Sequence, residues 1–475
     1  MKKYQKLALK LETDIAGGIF APGEKLPSIR QLSKDTKLSI NTVERALELL
    51  EGRGFISIKS QSGSFVKKEN IRKNIPAEKW TYTPQTVKVD EFIRFLLELT
   101  SSVSSIPFGL GFLDTDFYPH RAVKKVATKL MREEPEVIGR YSHPPGEWAY
   151  RLSVSKYLAK HGTHISPNEI VATNGTIDGI MTALRAICVP GDTVLIEIPQ
   201  FWTVLQIIET LKLKVVEVPA HPVTGIDLDK LRAAVKSGKV KAAVVMPNFN
   251  NPLGCIVSDA HKKEMVSILT SKDIAIIEND AYSDLVHNGK RPKSLKEFGD
   301  PSQIITCSTF SKTISPGLKI GWMAPGKYFD EIQRIQRSTS TGVSRLSQMI
   351  VARYLGTKEH ERNLLQLRTE CGKQLNRMGE TVLKHFPKGT WISSPKGGLV
   401  LWIGLPMNVD GVELFRRSIS RKIVVCPGDI FSASGYHKNH IRINCGLRWT
   451  PKIENALIEL GNMVKDVSSE KGRKI

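Results

Sequence analysis

The sequence predicts a chain of two unequal parts, a small α+β head and a large α/β body with a mostly parallel sheet. Three observations carry this. The chain has 475 residues, more than one core usually holds and enough for two or three domains. Its hydrophobic pattern changes near residue 68, from short helices and a hairpin to long helices alternating with short apolar strands. A charged stretch over 69–97, with prolines at 76 and 84, separates the two and reads as a linker. The expected domains are therefore 1–68, the linker 69–97, and 98–475.

Composition narrows the class. Hydrophobic residues make up 41% and charged residues 24%, globular averages that argue against long disorder. No apolar run reaches the ~18 residues of a membrane helix, and Met1-Lys2-Lys3 leads into an amphipathic stretch without a secretory core. The six cysteines are scattered without a CxxC pair, as in a cytoplasmic protein with reduced thiols, no disulfide and no metal. The net charge is +22, and the head is about twice as basic per residue as the rest, which suits a nucleic-acid partner.

In the head, Leu7, Leu9, Leu11 and Ile15 recur at helical spacing. Gly17-Gly18 stops that helix and Pro22-Gly23 makes a turn. Ser28 starts a second helix, with Ile29 and Leu32, that ends near Lys37. Ser39 caps a third, with Val43, Ala46, Leu47 and Leu50 on one face. Phe55–Lys59 and Ser64–Lys67 then read as strands around the turn Gln61-Ser62-Gly63. A helix held across another can enter the DNA major groove with its first turn on the base edges. That turn carries Ser39, Asn41, Thr42 and Arg45, residue types that bond bases and phosphates. The hairpin turn, from Lys59 through Gly63 to Ser64, can follow the backbone or minor groove.

The run Gly18–Leu32, the segment Ser39-Ile-Asn-Thr-Val43 and the segment Leu49–Ile56 resemble the winged helix-turn-helix of the GntR family over residues ~4–68. The resemblance implies that Arg30 contacts DNA phosphate in a double-stranded operator. It also marks a departure. Where the family often has an arginine before the Asn-Thr pair, Ile40 stands, so part of the base readout is altered.

In the body, the clear strands are Glu169–Thr173, Thr193–Ile198, Lys241–Met246, Ile274–Glu278 and Ile304–Ser308, with helical patterns between them. Motifs follow their ends. Ser308-Thr-Phe-Ser-Lys312 places a lysine among small hydroxyl residues after a strand, which suits a Schiff base beside a phosphate. Asn174-Gly175-Thr176 starts a helix whose backbone N–H groups can cradle that phosphate. Phe201 offers an aromatic face, Asn251 a hydrogen bond to a phenolic oxygen, and Arg442 a fork for a carboxylate.

These motifs stand in the order found in fold-type I aminotransferases, and the resemblance spans roughly 105–465, including Tyr141-Ser-His-Pro-Pro-Gly146, Pro395-Lys-Gly-Gly398 and Cys426-Pro-Gly428. It implies an α/β fold with a large mostly parallel sheet and a small C-terminal α/β domain, and pyridoxal 5'-phosphate as cofactor. It implies Lys312 as the Schiff-base lysine, Asn251 and Tyr282 at the phenolic oxygen, and Phe201 on the ring. Around the phosphate it implies Asn174, Gly175, Thr176, Ser308 or Thr309, and Ser311. Arg442 becomes the carboxylate clamp, and Tyr141 serves the partner's phosphate in a homodimer. Two departures stand out. The acidic partner of the pyridine nitrogen is replaced by Asn279, with Asp280 beside it, and a neutral amide makes the ring a poor electron sink. Lys319 stands where a phosphate-binding arginine is usual.

A GntR-like head joined to an aminotransferase-like body resembles the MocR (GabR-like) class of transcription regulators. That resemblance implies a cofactor-dependent regulator that senses an amino acid, an amine or the cofactor itself by exchange at Lys312. The alternative is a working aminotransferase carrying a DNA-binding head. Full enzymatic turnover is not expected, though a residual half-reaction is. A ~30-residue linker reaches up to ~100 Å extended, so a head-to-tail homodimer lies within reach. No membrane contact is expected.

Overall fold

A computed structural model describes residues 3–16, 20, 23–52, 55–59, 62–66, 82–100, 105–236 and 238–472. The expected stop at Gly17-Gly18, the Gln61 turn residue and much of the expected linker lie outside the described residues.

The described residues of the head form three helices and a hairpin: α1 (Lys3–Ala16), α2 (Ile29–Thr36), α3 (Ile40–Gly52), β1 (Ile56–Lys59) and β2 (Gly63–Val66). Ser28 caps α2 by accepting from the Gln31 N–H, and Lys37 ends it in the left-handed conformation. The Ser39 carbonyl accepts from the Thr42 and Val43 N–H groups to start α3. Leu7, Leu11, Leu32, Val43, Leu47, Leu50, Ile56 and Val66 form one buried core. The hairpin pairs Ile56 with Val66 and Lys59 with Gly63. Glu24–Leu26 lies along its second strand, so the wing is fixed to the helices.

The body begins earlier than the sequence pattern indicates. Strand β3 (Gln85–Thr86) and helix α4 (Asp90–Thr100) fall largely within the stretch read as linker. The physical reason is an apolar spacing in a charged setting. Val87, Val89, Ile93 and Leu96 are buried in the main core, and Glu209 accepts from the Val89 and Asp90 N–H groups to cap α4.

Next come α5 (His120–Glu133), α6 (Trp148–Lys160), β4 (Val171–Thr173), α7 (Thr176–Ile187), β5 (Thr193–Ile198), α8 (Trp202–Thr210), β6 (Lys214–His221), β7 (Gly225–Ile226), α9 (Leu228–Val235), β8 (Val240–Val245), α10 (Asp259–Thr270), β9 (Ala275–Asn279), β10 (Ile304–Thr309) and β11 (Gly321–Ala324). The large sheet runs β3-β6-β5-β8-β9-β10-β11-β4, with β7 on β6. Strands β6, β5, β8, β9 and β10 are mutually parallel, while β3 and β11 are antiparallel to their neighbours. The parallel strands are largely buried Val/Ile/Ala runs, as a sheet covered on both faces requires.

Helices α11 (Phe329–Thr339), α12 (Arg345–Tyr354) and α13 (Lys358–His385) lead to the small C-terminal part. It contains β12 (Trp391–Ile392), β13 (Val400–Gly404), α14 (Gly411–Ser420), β14 (Cys426–Pro427), β15 (His440–Asn444) and α15 (Pro451–Gly472). Its antiparallel sheet has the order β12-β13-β15-β14. Helix α3 packs on α13, where Asn376 Nδ2 donates to the Glu51 carbonyl at 2.7 Å. No helix among the described residues is long and apolar enough to cross a membrane.

Candidate functional site

Five loops meet at the carboxyl ends of parallel-running strands: 174–176 after β4, 199–201 after β5, 247–251 after β8, 280–282 after β9 and 310–312 after β10. This is where open α/β sheets place ligands. Strand β15 of the small sheet brings Arg442 across the same opening.

Lys312 is half-buried, and its Nζ donates to the Gly111 carbonyl at 2.8 Å. Burial, then the charges of Arg442 and Lys319, pull its amine down to about 8. The free amine, the nucleophile of Schiff-base chemistry, is thereby made available near neutral pH. Tyr282 is buried, and its hydroxyl takes a long 3.5 Å contact from Asn251 Nδ2. Burial pushes that hydroxyl up to about 12, against the pull of Arg442 and Asn251. Asn251 Oδ1 accepts from Arg442 Nη1 at 3.2 Å. Arg442 is fully buried, donates from Nη2 to the Gly109 carbonyl, and has its Nε without a partner. Tyr282, Asn251 and Arg442 are thus linked by hydrogen bonds, and Lys312 adjoins them through Gly111, which lies beside the Tyr282 hydroxyl and Arg442 Nη1.

A cradle lies at the start of α7. Gly175, at φ +99°, is its N-cap, and the buried Thr176 Oγ1 has no hydrogen-bond partner. A Cβ on Gly175 would come within 3.4 Å of Thr309 Oγ1, so the missing side chain leaves the cradle open. Thr309 Oγ1 accepts from the Ser311 N–H and donates to Ser311 Oγ at 3.0 Å. An orphaned hydroxyl, a helix N-terminus and two further hydroxyls fit a phosphate. With the Lys312 amine and the Tyr282–Asn251 pair, this donor set fits pyridoxal 5'-phosphate. Phe201, half-buried, caps α8 and tilts against Trp202 at 5.1 Å.

Other expected residues are placed differently. The exposed Asn174 turns its side chain to Asp178, 3.4 Å away, rather than to the cradle. The Ser308 hydroxyl donates to the Asp280 carbonyl at 3.0 Å, which leaves Thr309 as the cradle residue of that pair. Lys319 is at φ +47°. Tyr141 is 82% exposed and stacked on His143, outside its own chain's cluster.

The choice between Asn279 and Asp280 follows from strand alternation. Glu278 and Asp280 share one face. There Glu278 accepts from Ser294 and Thr306, and Asp280 is taken by Ser283 Oγ and Arg291. Arg291 also binds Asp284 at 2.9 Å. Both Asp280 oxygens are therefore committed. Asn279 lies on the opposite face with its register partner Cys307, against which α7 packs through Gly179. Its Oδ1 accepts from the Ala281 N–H at 3.2 Å.

Sequence reading missed Gly109, Gly111 and Tyr118. The two glycines supply the carbonyls on Arg442 and Lys312, and the Tyr118 hydroxyl donates to the Ser311 carbonyl at 3.0 Å.

In the head, Arg30, Ser39, Asn41, Arg45, Lys59 and Gly63 are exposed and Thr42 is half-buried. Ser39 Oγ and Thr42 Oγ1 share a 2.8 Å hydrogen bond. Ile40 is 48% exposed beside Asn41. On the wing, Lys59 and Lys25 flank the Phe65 ring at 5.1 and 5.9 Å.

Comparison with known proteins bears on both parts. The model for aminotransferase class I and II matches residues 106–457, and the model for bacterial regulatory proteins of the gntR family matches residues 3–66. The uncharacterized HTH-type transcriptional regulator YjiR of Escherichia coli is 31% identical over 98% of this chain and 99% of its own length. The HTH-type transcriptional regulator NorG of Staphylococcus aureus is 25% identical over 93% of this chain and 100% of its own. Among solved structures, the Thermus thermophilus α-aminoadipate aminotransferase LysN, complexed with N-(5'-phosphopyridoxyl)-L-leucine, aligns at TM-score 0.72 and 25% identity, covering 79% of this chain and 95% of that one. A multiple substrate aminotransferase from Thermococcus profundus aligns at TM-score 0.74 and 22% identity, covering 80% and 95%.

Proposed function

The chain belongs to the class I and II aminotransferase family and, with its gntR-type head, to the MocR-type regulators; from that premise we propose that it is a transcription regulator whose large domain senses an amino acid or amine at Lys312. The observation that carries this reading is the cluster itself. A lysine amine, a buried arginine with an unpartnered Nε, and a helix N-terminus with an orphaned hydroxyl adjoin one opening, and Asn279 stands where the aminotransferase resemblance expects an acid.

Pyridoxal 5'-phosphate, when bound, supplies an aldehyde for which Lys312 and an effector amine compete. Thr176, Thr309, Ser311 and the α7 N-terminus would hold its phosphate, and Tyr282 with Asn251 its phenolic oxygen. Arg442 would orient the effector by its carboxylate. Asn279 offers a donor N–H to the ring nitrogen, so it cannot keep that nitrogen protonated as a carboxylate would, and removal of an effector's α-proton is disfavoured. This separates holding an amino acid from converting it.

The exposed Tyr141 supports a homodimer in which it completes the partner's phosphate site. Two heads would then read two half-sites of double-stranded DNA. Arg30 and Lys59 would bind phosphate, and Asn41 and Arg45 base edges.

The test is an absorbance titration of purified, cofactor-loaded protein with amino acids, followed by a 2-oxo acid. The expected result is a shift of the visible band on adding amino acid, with no sustained turnover. Turnover at ordinary enzyme rates of ~1–1000 per second would overturn the sensor reading in favour of an aminotransferase.

A further inference from the structure

The segment Ile106–Asp114 crosses the site opening and is tied down on both sides of it. The Ile106 N–H donates to the Lys422 carbonyl at 2.7 Å, and the Val424 N–H to the Ile106 carbonyl at 3.0 Å. The Asn444 N–H holds the Phe108 carbonyl at 2.8 Å, and Asn444 Nδ2 holds the Phe112 carbonyl at the same distance. Asp114 closes the far end on the Gly446 carbonyl. Between these ties, Gly109 and Gly111 turn their carbonyls onto the two cations of the site, Arg442 and Lys312.

A side chain at either glycine would be a tight fit. A Cβ on Gly111 would lie 3.3 Å from the Tyr282 hydroxyl, and one on Gly109 would lie 3.2 Å from the Val425 carbonyl oxygen and 3.3 Å from Leu96 Cδ1. Leu96 is a buried residue of α4. That helix is the first one after the stretch joining the body to the DNA-reading head, and its Phe92 and Phe95 pack on Phe415 of α14.

We propose that Gly109–Gly111 is a sensing strap: a carboxylate that takes Arg442 displaces the Gly109 carbonyl, and the strap passes that displacement through Leu96 to α4. This rests on the reading of Arg442 as the effector clamp. A carboxylate competes well there, because it brings a full negative charge to the guanidinium and can accept two N–H bonds at once, where the Gly109 carbonyl accepts one. The ties at 106, 108, 112 and 114 confine the movement to the glycines. Leu96 Cδ1 borders the space beside the Gly109 Cα where a side chain would stand, which makes Leu96 the α4 side chain next to the moving glycine.

The test is amide hydrogen exchange on the full chain without cofactor or ligand, so its outcome is separate from that of the cofactor reading. Arg442→Lys keeps the charge and removes the fork. It should speed exchange at least tenfold in 109–113 and in 90–100, with the sheet core 193–198 unchanged. Faster exchange in 109–113 alone would overturn the relay, and no change in either would overturn the hold on Gly109. If 193–198 also loses protection, the variant has unfolded and Leu96→Ala decides. With both cations in place, it should release 109–113 at least tenfold, and an unchanged strap would refute the proposal.

Discussion

The most informative perturbation is pH acting on Lys312. An ordinary lysine titrates near 10.4, so at pH 7.5 only about one amine in a thousand is neutral. Lys312 is pulled down to about 8, which leaves roughly a quarter of its amines neutral at that pH, a gain of ~200–300-fold in nucleophile. Capture of pyridoxal 5'-phosphate by the apo-protein should therefore accelerate about tenfold per pH unit up to pH 8 and flatten above it. Stopped-flow absorbance follows the rate, and borohydride trapping with peptide mapping locates the bond. Burial is the largest cause of the depression, with Arg442 and Lys319 after it. Arg442→Met and Lys319→Met should each move the flattening to higher pH, and neither should restore an ordinary lysine. The same group sets a sign for stability. Between pH 8 and about 10.5 the unfolded chain holds a proton that the native state does not, so stability of the apo-protein rises with pH in that window. Lys312→Met removes its share of that rise and leaves the share of Lys296, which burial also pulls down to about 8. A wild-type rate still climbing tenfold per unit above pH 9 would refute the reasoning.

Arg30→Ala should weaken binding to all duplexes alike and lower the log–log salt slope by about 0.9 for each phosphate it no longer neutralises. Asn41→Ala should instead relax preference at one base pair by ~1–3 kcal/mol. Anisotropy titrations on randomised duplexes read both, and equal, sequence-independent losses would show that α3 is not the reading helix. Asn279→Asp should raise the half-transamination rate in single-turnover absorbance, and an unchanged rate would mean that residue 279 does not face the ring. Arg291→Met leaves the buried Asp280 and Asp284 carboxylates without their cation and should cost about 3–5 kcal/mol in urea unfolding. A loss below ~1 kcal/mol would contradict that pairing.

Much of this is legible in the chain because the signals are local. Ser28 and Ser39 mark helix starts by type and position, and both serve there. The strands at 193–198, 274–278 and 304–308 are continuous β-branched runs, and each lies within a residue or so of its place in the sheet. Strand β11, Gly-Trp-Met-Ala, carries no such run. Gly321 is there because a Cβ would strike the Ser308 carbonyl and Gly175, a long-range demand without local pattern. The true start of the body is hidden for a related reason. Val87, Val89, Ile93 and Leu96 are spaced among charges, and only the surface they cover shows them to be core. At the site, the aminotransferase resemblance names Lys312, Asn251, Tyr282 and Arg442; the last three are joined by hydrogen bonds, and Lys312 adjoins them through Gly111. They cannot choose between Asn279 and Asp280, since that depends on Arg291, eleven residues beyond Asp280, taking one carboxylate. Nor can they reveal Gly109 and Gly111, whose contribution is backbone carbonyls.

The central claim is that a small molecule held at Lys312 changes how the head binds DNA. The most direct measurement is the DNA affinity of wild type and Lys312→Ala, each with cofactor, with and without an amino acid that shifts the wild-type visible band. Wild type should change affinity when the amino acid is added. Lys312→Ala should bind DNA as tightly as unliganded wild type and show no change, since an effector acts only through different affinities for two arrangements. An equal response in the two proteins would contradict the account.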